Sequence, residues 1–378
     1  MVVSGTPMVA QAPPAIDVAK AQAFMGRLLG DLSGAMTCWM CLLGDRLGLF
    51  RALATRGPST SAELATSAAL DERYTREWLA ALAAAGYLGY EPDAQRYSLP
   101  PEHAAALAWD GTPMFIGGAY QQLAGLAEAL EAIVRAFRTG GGVPESAYGQ
   151  DLREGMDRIS ASWFDHLLVQ QWIASLPHLQ AQLVRGAQVG DIGCGGGRAL
   201  INLARAFPQS RFVGFDTSAP AVARATDNAR AAGVDDRVSF EQRDAVEGLP
   251  YRFDVVTLFD VLHDVRRPDH LLALVRAALL PGGSVLIGES RCAEAVEANV
   301  GPVSSILYAT SVLYCLPTAL ANGAAGLGTL GMPESRLRRL CEAAGFVTCK
   351  RLPVEHPFMA LYQVTPATHS GTNNEHTE

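Results

Sequence analysis

From Asp17 to about Leu53 apolar residues return at helical spacing, Phe24, Leu28 and Leu32 first, then Trp39, Leu42, Leu43, Leu47 and Phe50. This spacing predicts two helices. Ser61 is placed to cap a third helix with Glu63 and Leu64 in its first turn, and Asp71 a fourth that carries Trp78, Leu79 and Leu82 and stops at Gly86. Between Tyr87 and Leu99 apolar and polar positions alternate about a turn at Pro92 and Asp93, which predicts a short hairpin. Helices followed by a hairpin in this order predict a winged helix. A helical stretch then runs from Ala104 to about Phe137, breaks at Gly140, Gly141 and Gly142, and resumes from Asp151 to Leu183.

After Gln188 the period changes. A strand and a glycine turn lead into a helix (Ala199 to Phe207), a strand (Arg211 to Phe215), a helix (Ala219 to Ala232) and a strand (Val238 to Gln242). A further strand (Phe253 to Phe259), helix (Pro268 to Leu279) and strand (Ser284 to Glu289) follow. Strands alternating with helices predict an α/β fold, a parallel sheet covered on both faces, with ligands at the carboxyl ends of its strands. The chain therefore divides into an irregular start (1–16), a winged-helix and dimerisation domain (17–103), a helical bridge and pocket wall (104–184), a sheet domain (185–366) and an irregular tail (367–378).

Composition narrows the function classes. With 378 residues, 49% hydrophobic and 18% charged, the chain is able to bury a sizeable core, and its net charge of −8 argues against a nucleic-acid or anionic-membrane binder. The would-be recognition helix of the winged helix begins Asp71-Glu72, which repels phosphate, so pocket lining and dimerisation are its expected roles. Seven scattered cysteines and no signal peptide predict reduced thiols in the cytoplasm. Cys38 and Cys41 lie in a helical apolar pattern with no second pair, so no metal is expected. No charged residue occurs from Ala298 to Pro333, but Pro302, Pro317, several glycines and hydroxyl residues interrupt the run, which predicts a buried helix over a site rather than a membrane span.

The stretch Val189 to Arg198 carries the chemistry. Gly193, Gly195 and Gly197 alternate behind Asp191, and glycine permits a tight turn and close backbone approach to a ligand. A dinucleotide fingerprint would need glycine where Arg198 stands, and a P-loop would need a lysine that is absent. The pattern from Asp191 to Gly197 resembles motif I of class I S-adenosylmethionine-dependent methyltransferases. That resemblance implies a Rossmann-like sheet and a cofactor with an ammonium group for Asp191 to attract. It also implies ribose hydroxyls for Asp216 to accept, and an adenine amino group for Asp244, with the Ala245 amide on a ring nitrogen. Thr217 and Phe259 join this expected cofactor-contact set, and S-adenosylhomocysteine is the implied product.

A second run, Phe259-Asp260-Val261-Leu262-His263-Asp264, ends the fourth strand of the sheet domain. Together with the winged-helix start, Tyr314 to Pro317 and a late Glu-Ala-Ala-Gly-Phe run, it resembles the bacterial winged-helix small-molecule O-methyltransferases. The resemblance implies His263 as general base and Glu289 as the acid that orients it, with Asp264 a further candidate. Val265 stands where plant members have Trp. Trp163 and His166 on the bridge, and Tyr308, Ser311 and Cys315 on one face of the uncharged segment, are expected to line an apolar substrate pocket. The reading is a homodimeric enzyme of secondary metabolism that methylates a small, fairly apolar acceptor at oxygen. N-, S- or C-methylation by proximity, or a cofactor-binding winged-helix regulator, are the alternatives.

Overall fold

The computed structural model describes residues 16–367, so the expected irregular ends fall outside the described residues but for Ile16 and Ala367. The chain forms two compact units, divided between Ala108 and Trp109.

In the first unit a long helix, Val18–Arg46, is capped by Asp17, whose carboxylate accepts from the Lys20 amide. Three further helices, Leu49–Arg56, Ser61–Ala68 and Glu72–Ala84, enclose a core of Leu49, Phe50, Leu53, Leu64, Leu79 and Leu82. The long helix joins this core at its end. Trp78 donates its indole N–H to the Met40 carbonyl at 2.8 Å, and a Cβ on Gly44 would stand 2.5 Å from the Trp78 ring. The third helix is capped by Thr60 rather than Ser61. The Thr60 hydroxyl accepts from the Glu63 amide while Glu63 accepts from the Thr60 amide, a box that needs its two members three residues apart. Ser61 is left inside the first turn, where its hydroxyl donates to Glu72. Strands β1 (Gly89–Glu91) and β2 (Arg96–Ser98) form the predicted hairpin, and Arg96 ties it to the third helix through both oxygens of Glu63.

The second unit opens with helices Gly117–Glu128, Leu130–Thr139 and Gln150–Trp163. The first and third of these approach closely because Gly118, Gly125 and Gly155 face each other's backbone, where a Cβ would come within 2.6 Å or less. The third continues as ten residues of π-helix, Phe164–Ile173, and Pro177–Arg185 follows. The sheet comprises β3 (Gln188–Ile192), β4 (Arg211–Asp216), β5 (Val238–Gln242), β6 (Phe253–Phe259), β7 (Leu279–Ser290), β8 (Phe346–Arg351) and β9 (Met359–Pro366). Its order is β5-β4-β3-β6-β7-β9-β8, with β3 to β7 parallel and β9 antiparallel to both neighbours. This is the Rossmann-like sheet expected. Strand β7 starts earlier than predicted, at Leu279, because Pro281 to Gly283 form a bulge before the pairing resumes at Ser284.

Strand order reverses between β3 and β6, so their carboxyl ends frame the crevice in which such sheets bind ligands. Apolar clusters lie on both faces, one around Trp172, Leu179, Leu200 and Phe212, the other around Leu271, Val275, Leu337 and Tyr362. The helical run Pro302–Ala321 has mean hydropathy 1.5 and is the one described segment long and apolar enough to cross a membrane. It is stitched into the unit by the Tyr148 hydroxyl, which donates to the Leu313 carbonyl at 2.7 Å, and by the buried Cys315, Pro317, Thr318 and Ala319.

Candidate active site

The glycine turn leaves β3 and crosses the end of β4. Gly193 and Cys194 donate their amides to the Phe215 carbonyl, and Gly195 donates to Asp216 Oδ2 at 2.9 Å. Gly193, Gly195 and Gly197 all have positive φ (+71°, +51° and +77°), the left-handed region that glycine adopts without penalty. Their surroundings differ. A Cβ on Gly193 would meet Val261 at 2.4 Å and one on Gly197 would meet Phe240 at 2.5 Å, whereas no atom of the described residues lies within 4 Å of the Cβ position of Gly195. The turn is thus packed at both ends and open in the middle. Arg198 opens the next helix, Arg198–Ala206, and with Asn202 it binds Asp165, which clamps that helix to the π-helical stretch.

Three acids surround the turn. Asp191 is 3% exposed, and its Oδ1 accepts from the hydroxyl of Thr257, its registered partner on β6, at 2.6 Å. Burial pushes the Asp191 carboxyl up, against the Thr257 hydrogen bond and with the Asp216 charge, to about 7. Asp216 accepts from the Gly195 and Ser218 amides, one on each oxygen. Asp244 accepts from the Val246 amide on Oδ1 and pairs with Arg266 on Oδ2. Each carboxylate oxygen has two lone pairs, so both acids keep acceptor capacity toward a ligand. Thr217 is exposed beside Asp216, and Ala245 is buried at the start of a 3₁₀ turn. Phe259 is turned into an aromatic cluster with Phe164 and Trp172, at centroid distances of 5.3 and 5.7 Å.

The second half of the site lies where β6 and β7 end. Asp260 turns the chain out of β6 with φ +60°, a conformation Asp tolerates better than most residues, and its amide donates to the Gly288 carbonyl. Glu289 is fully buried. Its Oε1 accepts from the Leu262 and Val261 amides at 2.7 and 3.2 Å, and its Oε2 lies 2.8 Å from His263 Nδ1. A carboxylate only accepts, so Nδ1 carries a proton and the neutral ring keeps its lone pair at Nε2. His263 is 1% exposed and Nε2 has no hydrogen-bond partner among the described residues; it faces Asp264 Oδ2 at 3.4 Å and the Cys315 thiol. Burial opposes the imidazolium, but the charges of Asp264 and Glu289, the nearby Cys315 sulfur and the Glu289 hydrogen bond outweigh it and hold His263 well above its ordinary range. Burial likewise pushes Asp264 up to about 7.

The expected pocket residues separate. Cys315 closes on His263, and the Thr329 hydroxyl donates to its sulfur at 3.0 Å. Ser311 accepts from the Thr329 amide. Tyr308 is exposed, near Asn299, so the helical face shared on paper by Tyr308 and Cys315 spans surface and interior. Residues Ser311–Cys315 form a π turn, which resets the helical register there. Trp163 packs edge-on against His356 and stacks on Phe358, and His166 is half-buried on the π-helical stretch. The sequence assigns no role to Thr257, Asp260, Thr329, His356 or Phe358. Of these only Asp260 carries a local signal, an Asp directly after an apolar strand.

Residues 35–109 match the family model described as an Rv2258c-like winged HTH domain, and residues 183–328 match a methyltransferase domain model. The acetylserotonin O-methyltransferase of Mus musculus molossinus is 30% identical over 305 residues, 76% of this chain and 78% of that protein. The 27-O-demethylrifamycin SV methyltransferase of Amycolatopsis mediterranei (strain S699) is 40% identical over 107 residues, 28% of this chain, and the match spans only 39% of that relative's length. Among solved structures, the mitomycin 7-O-methyltransferase MmcR aligns with TM-score 0.68 at 21% identity, covering 93% of this chain and all of its own. CalO1, a methyltransferase in calicheamicin biosynthesis solved with S-adenosylhomocysteine, aligns with TM-score 0.64 at 20% identity, again over 93% and 100%. At these identities the structural likeness speaks for the fold.

Proposed function

This chain belongs to the class I S-adenosylmethionine-dependent methyltransferases that carry an N-terminal winged-helix domain, and from that premise we propose that it methylates a hydroxyl of a small, fairly apolar metabolite with His263 as general base. The observation that carries this reading is the buried Glu289–His263 pair, whose unpartnered Nε2 lies at the same carboxyl edge of the sheet as the open glycine turn.

The residues around the turn fit the cofactor. Gly195 leaves free space for a ligand to approach the backbone, Asp191 offers a buried carboxylate to an ammonium group, and Asp216 and Asp244 retain acceptors for the ribose and the adenine amino group. Thr217, Ala245 and the strand end at Phe259 complete the proposed contact set. When bound, S-adenosylmethionine supplies a methyl group activated by a sulfonium. The chain's own residues then position the acceptor and manage its proton. Glu289, fixed by two backbone amides, holds the ring so that Nε2 takes the proton of the acceptor hydroxyl. Asp264 is the half-buried neighbour of Nε2, so the acceptor enters from its side, past Cys315; Ser311, Tyr308, Trp163 and His166 are the further residues proposed to contact it. The acetylserotonin and mitomycin relatives act at oxygen by name, which supports oxygen as the acceptor atom.

We assign the winged helix to dimerisation rather than DNA. In its would-be recognition helix Arg76 pairs with Glu72 and Arg73 with Glu77, behind the Asp71 cap, so the arginines offer little net positive charge to phosphate. The helix Val18–Arg46 instead exposes Met25, Leu28, Leu29, Leu32, Met36 and Trp39, a stripe suited to a second copy of the chain. All seven cysteines are free, which fits a reduced cytoplasmic compartment; the mitomycin and calicheamicin neighbours support a place in secondary metabolism.

The test is transfer of isotopically labelled methyl from S-adenosylmethionine to a panel of phenols, alcohols, amines and thiols. Label appearing on oxygen, and lost about 10²-fold or more in His263→Ala with cofactor affinity kept, supports the reading. Full kcat in His263→Ala at neutral pH removes the base.

A further inference from the structure

His263 Nε2, the Asp264 carboxylate and Cys315 Sγ lie within 4.8 Å of one another, although Cys315 comes from a different stretch of chain. His263 is 1% exposed, and among the described residues neither its Nε2 nor the buried Asp264 Oδ1 has a hydrogen-bond partner. We propose that His263, Asp264 and Cys315 form a binding site for a borderline-soft divalent cation of the Zn²⁺ type.

Four observations support the site. Nε2 and Asp264 Oδ2 are 3.4 Å apart, close to the roughly 3.3 Å between two ligands held about 2.0–2.1 Å from a tetrahedral zinc. Glu289 engages Nδ1 at 2.8 Å, which fixes the ring with its free nitrogen toward the cluster, the carboxylate–histidine arrangement that orients metal-ligating histidines. Thr329 donates its hydroxyl to Cys315 Sγ at 3.0 Å, an interaction that grows stronger when the sulfur is a thiolate. An imidazole, a thiolate and one carboxylate select zinc or cobalt over magnesium or calcium, which require oxygen ligands. The neighbouring group of Asp260, His263 and Glu289 does not compete, because Nδ1 is already committed to Glu289 and Asp260 is half-exposed.

Binding forms Nε2–metal, carboxylate–metal and sulfur–metal bonds, and the thiol proton of Cys315, together with any proton held on Nε2 or on the Asp264 carboxyl, passes to solvent. Three protein ligands leave the fourth position for water, on the side where Asp264 meets solvent. The existence of the site is independent of the methyl-transfer reading. Its consequence rests on that reading, since a cation on Nε2 occupies the lone pair that would take the acceptor's proton.

The full chain, stripped with a chelator, is titrated with Co²⁺ and followed by absorbance, and with Zn²⁺ followed by calorimetry. The expected result is one ion per chain, a thiolate-to-cobalt charge-transfer band and the visible bands of a tetrahedral site. The charge-transfer band is lost in Cys315→Ser and retained in Cys38→Ser, while Asp264→Asn and Glu289→Gln weaken Zn²⁺ about 10- to 100-fold. Thermal melts of each variant separate lost ligation from lost folding. No saturable uptake by the stripped wild type, or an unchanged cobalt band in folded Cys315→Ser, overturns the site. Uptake at the site without loss of methyl transfer leaves the site standing and overturns instead the role of Nε2 as base.

Discussion

At the scale of single residues the two buried acids, Asp191 and Glu289, do opposite things to the groups around them. Glu289 stabilises the imidazolium of His263, so the base is free only above its raised pKa. The acid limb of the kcat/KM profile is therefore expected above pH 6.5, the ordinary value for histidine. In Glu289→Gln the carboxylate is gone, the imidazolium loses its partner, and the limb moves to lower pH while the plateau falls because the ring is no longer fixed. A pH–rate series on both proteins checks this, and an unshifted limb in the variant separates Glu289 from the base. Asp191 is held partly neutral by its burial, whereas an ammonium ligand needs it ionised. Binding of S-adenosylhomocysteine is thus expected to weaken up to about tenfold per unit as pH falls below about 7. In Asp191→Asn calorimetry should find weak binding with that pH dependence removed. Both acids are visible in the sequence, Asp191 in the glycine motif and Glu289 by resemblance at a strand end. Their strength is not, because Thr257 and the amides of Val261 and Leu262 reach them only through strand register and the turn after β6.

Elements were legible where their signal is local. Strands β3 to β6 and their helices follow from alternating apolar runs, and Asp71 caps the helix it was expected to cap. The sequence points to Ser61 rather than Thr60 as the cap because a hydroxyl stands at both positions and only the reciprocal bond with Glu63 decides between them. The π-helical stretches Phe164–Ile173 and Ser311–Cys315 have no sequence signature, and the second decides that Cys315 rather than Tyr308 meets His263. Within the glycine turn the element divides into structural and binding positions. Gly197→Ala combines a φ of +77° with a Cβ 2.5 Å from Phe240, and a loss of about 2–4 kcal/mol by denaturant titration is expected. Gly195→Ala meets open space, so its stability cost should be limited to about 1 kcal/mol for the backbone conformation alone. The added methyl nevertheless points into the cradle, and affinity for S-adenosylhomocysteine should fall tenfold or more. Equal losses of stability in the two variants, or intact binding in Gly195→Ala, contradict this division.

At the scale of the whole molecule, the first unit poses a question of partnership. The helix Val18–Arg46 buries only Cys41, Leu42 and Gly44 within its own unit, while Leu28, Leu29, Leu32 and Met36 stand 42% to 63% exposed. A 29-residue helix is about 43 Å long, and an apolar stripe over most of that length offers the scale of surface a stable dimer buries, about 800 Å² per partner. Its charged residues are few, Lys20, Arg27, Asp31, Asp45 and Arg46, so a polar occupant such as nucleic acid finds little to bind. Two copies of the same stripe satisfy each other, because a twofold contact sets like apolar positions against one another. Light scattering during gel filtration is therefore expected to report about twice the chain mass of 40.1 kDa for the wild type. Leu32→Glu combined with Leu28→Glu sets carboxylates against their own symmetry mates and should shift the mass to that of one chain. Because both side chains are exposed, the substitution leaves the core of Phe50, Leu79 and Leu82 intact, and a retained cooperative melt distinguishes dissociation from unfolding. A variant that stays dimeric places the interface elsewhere on the chain.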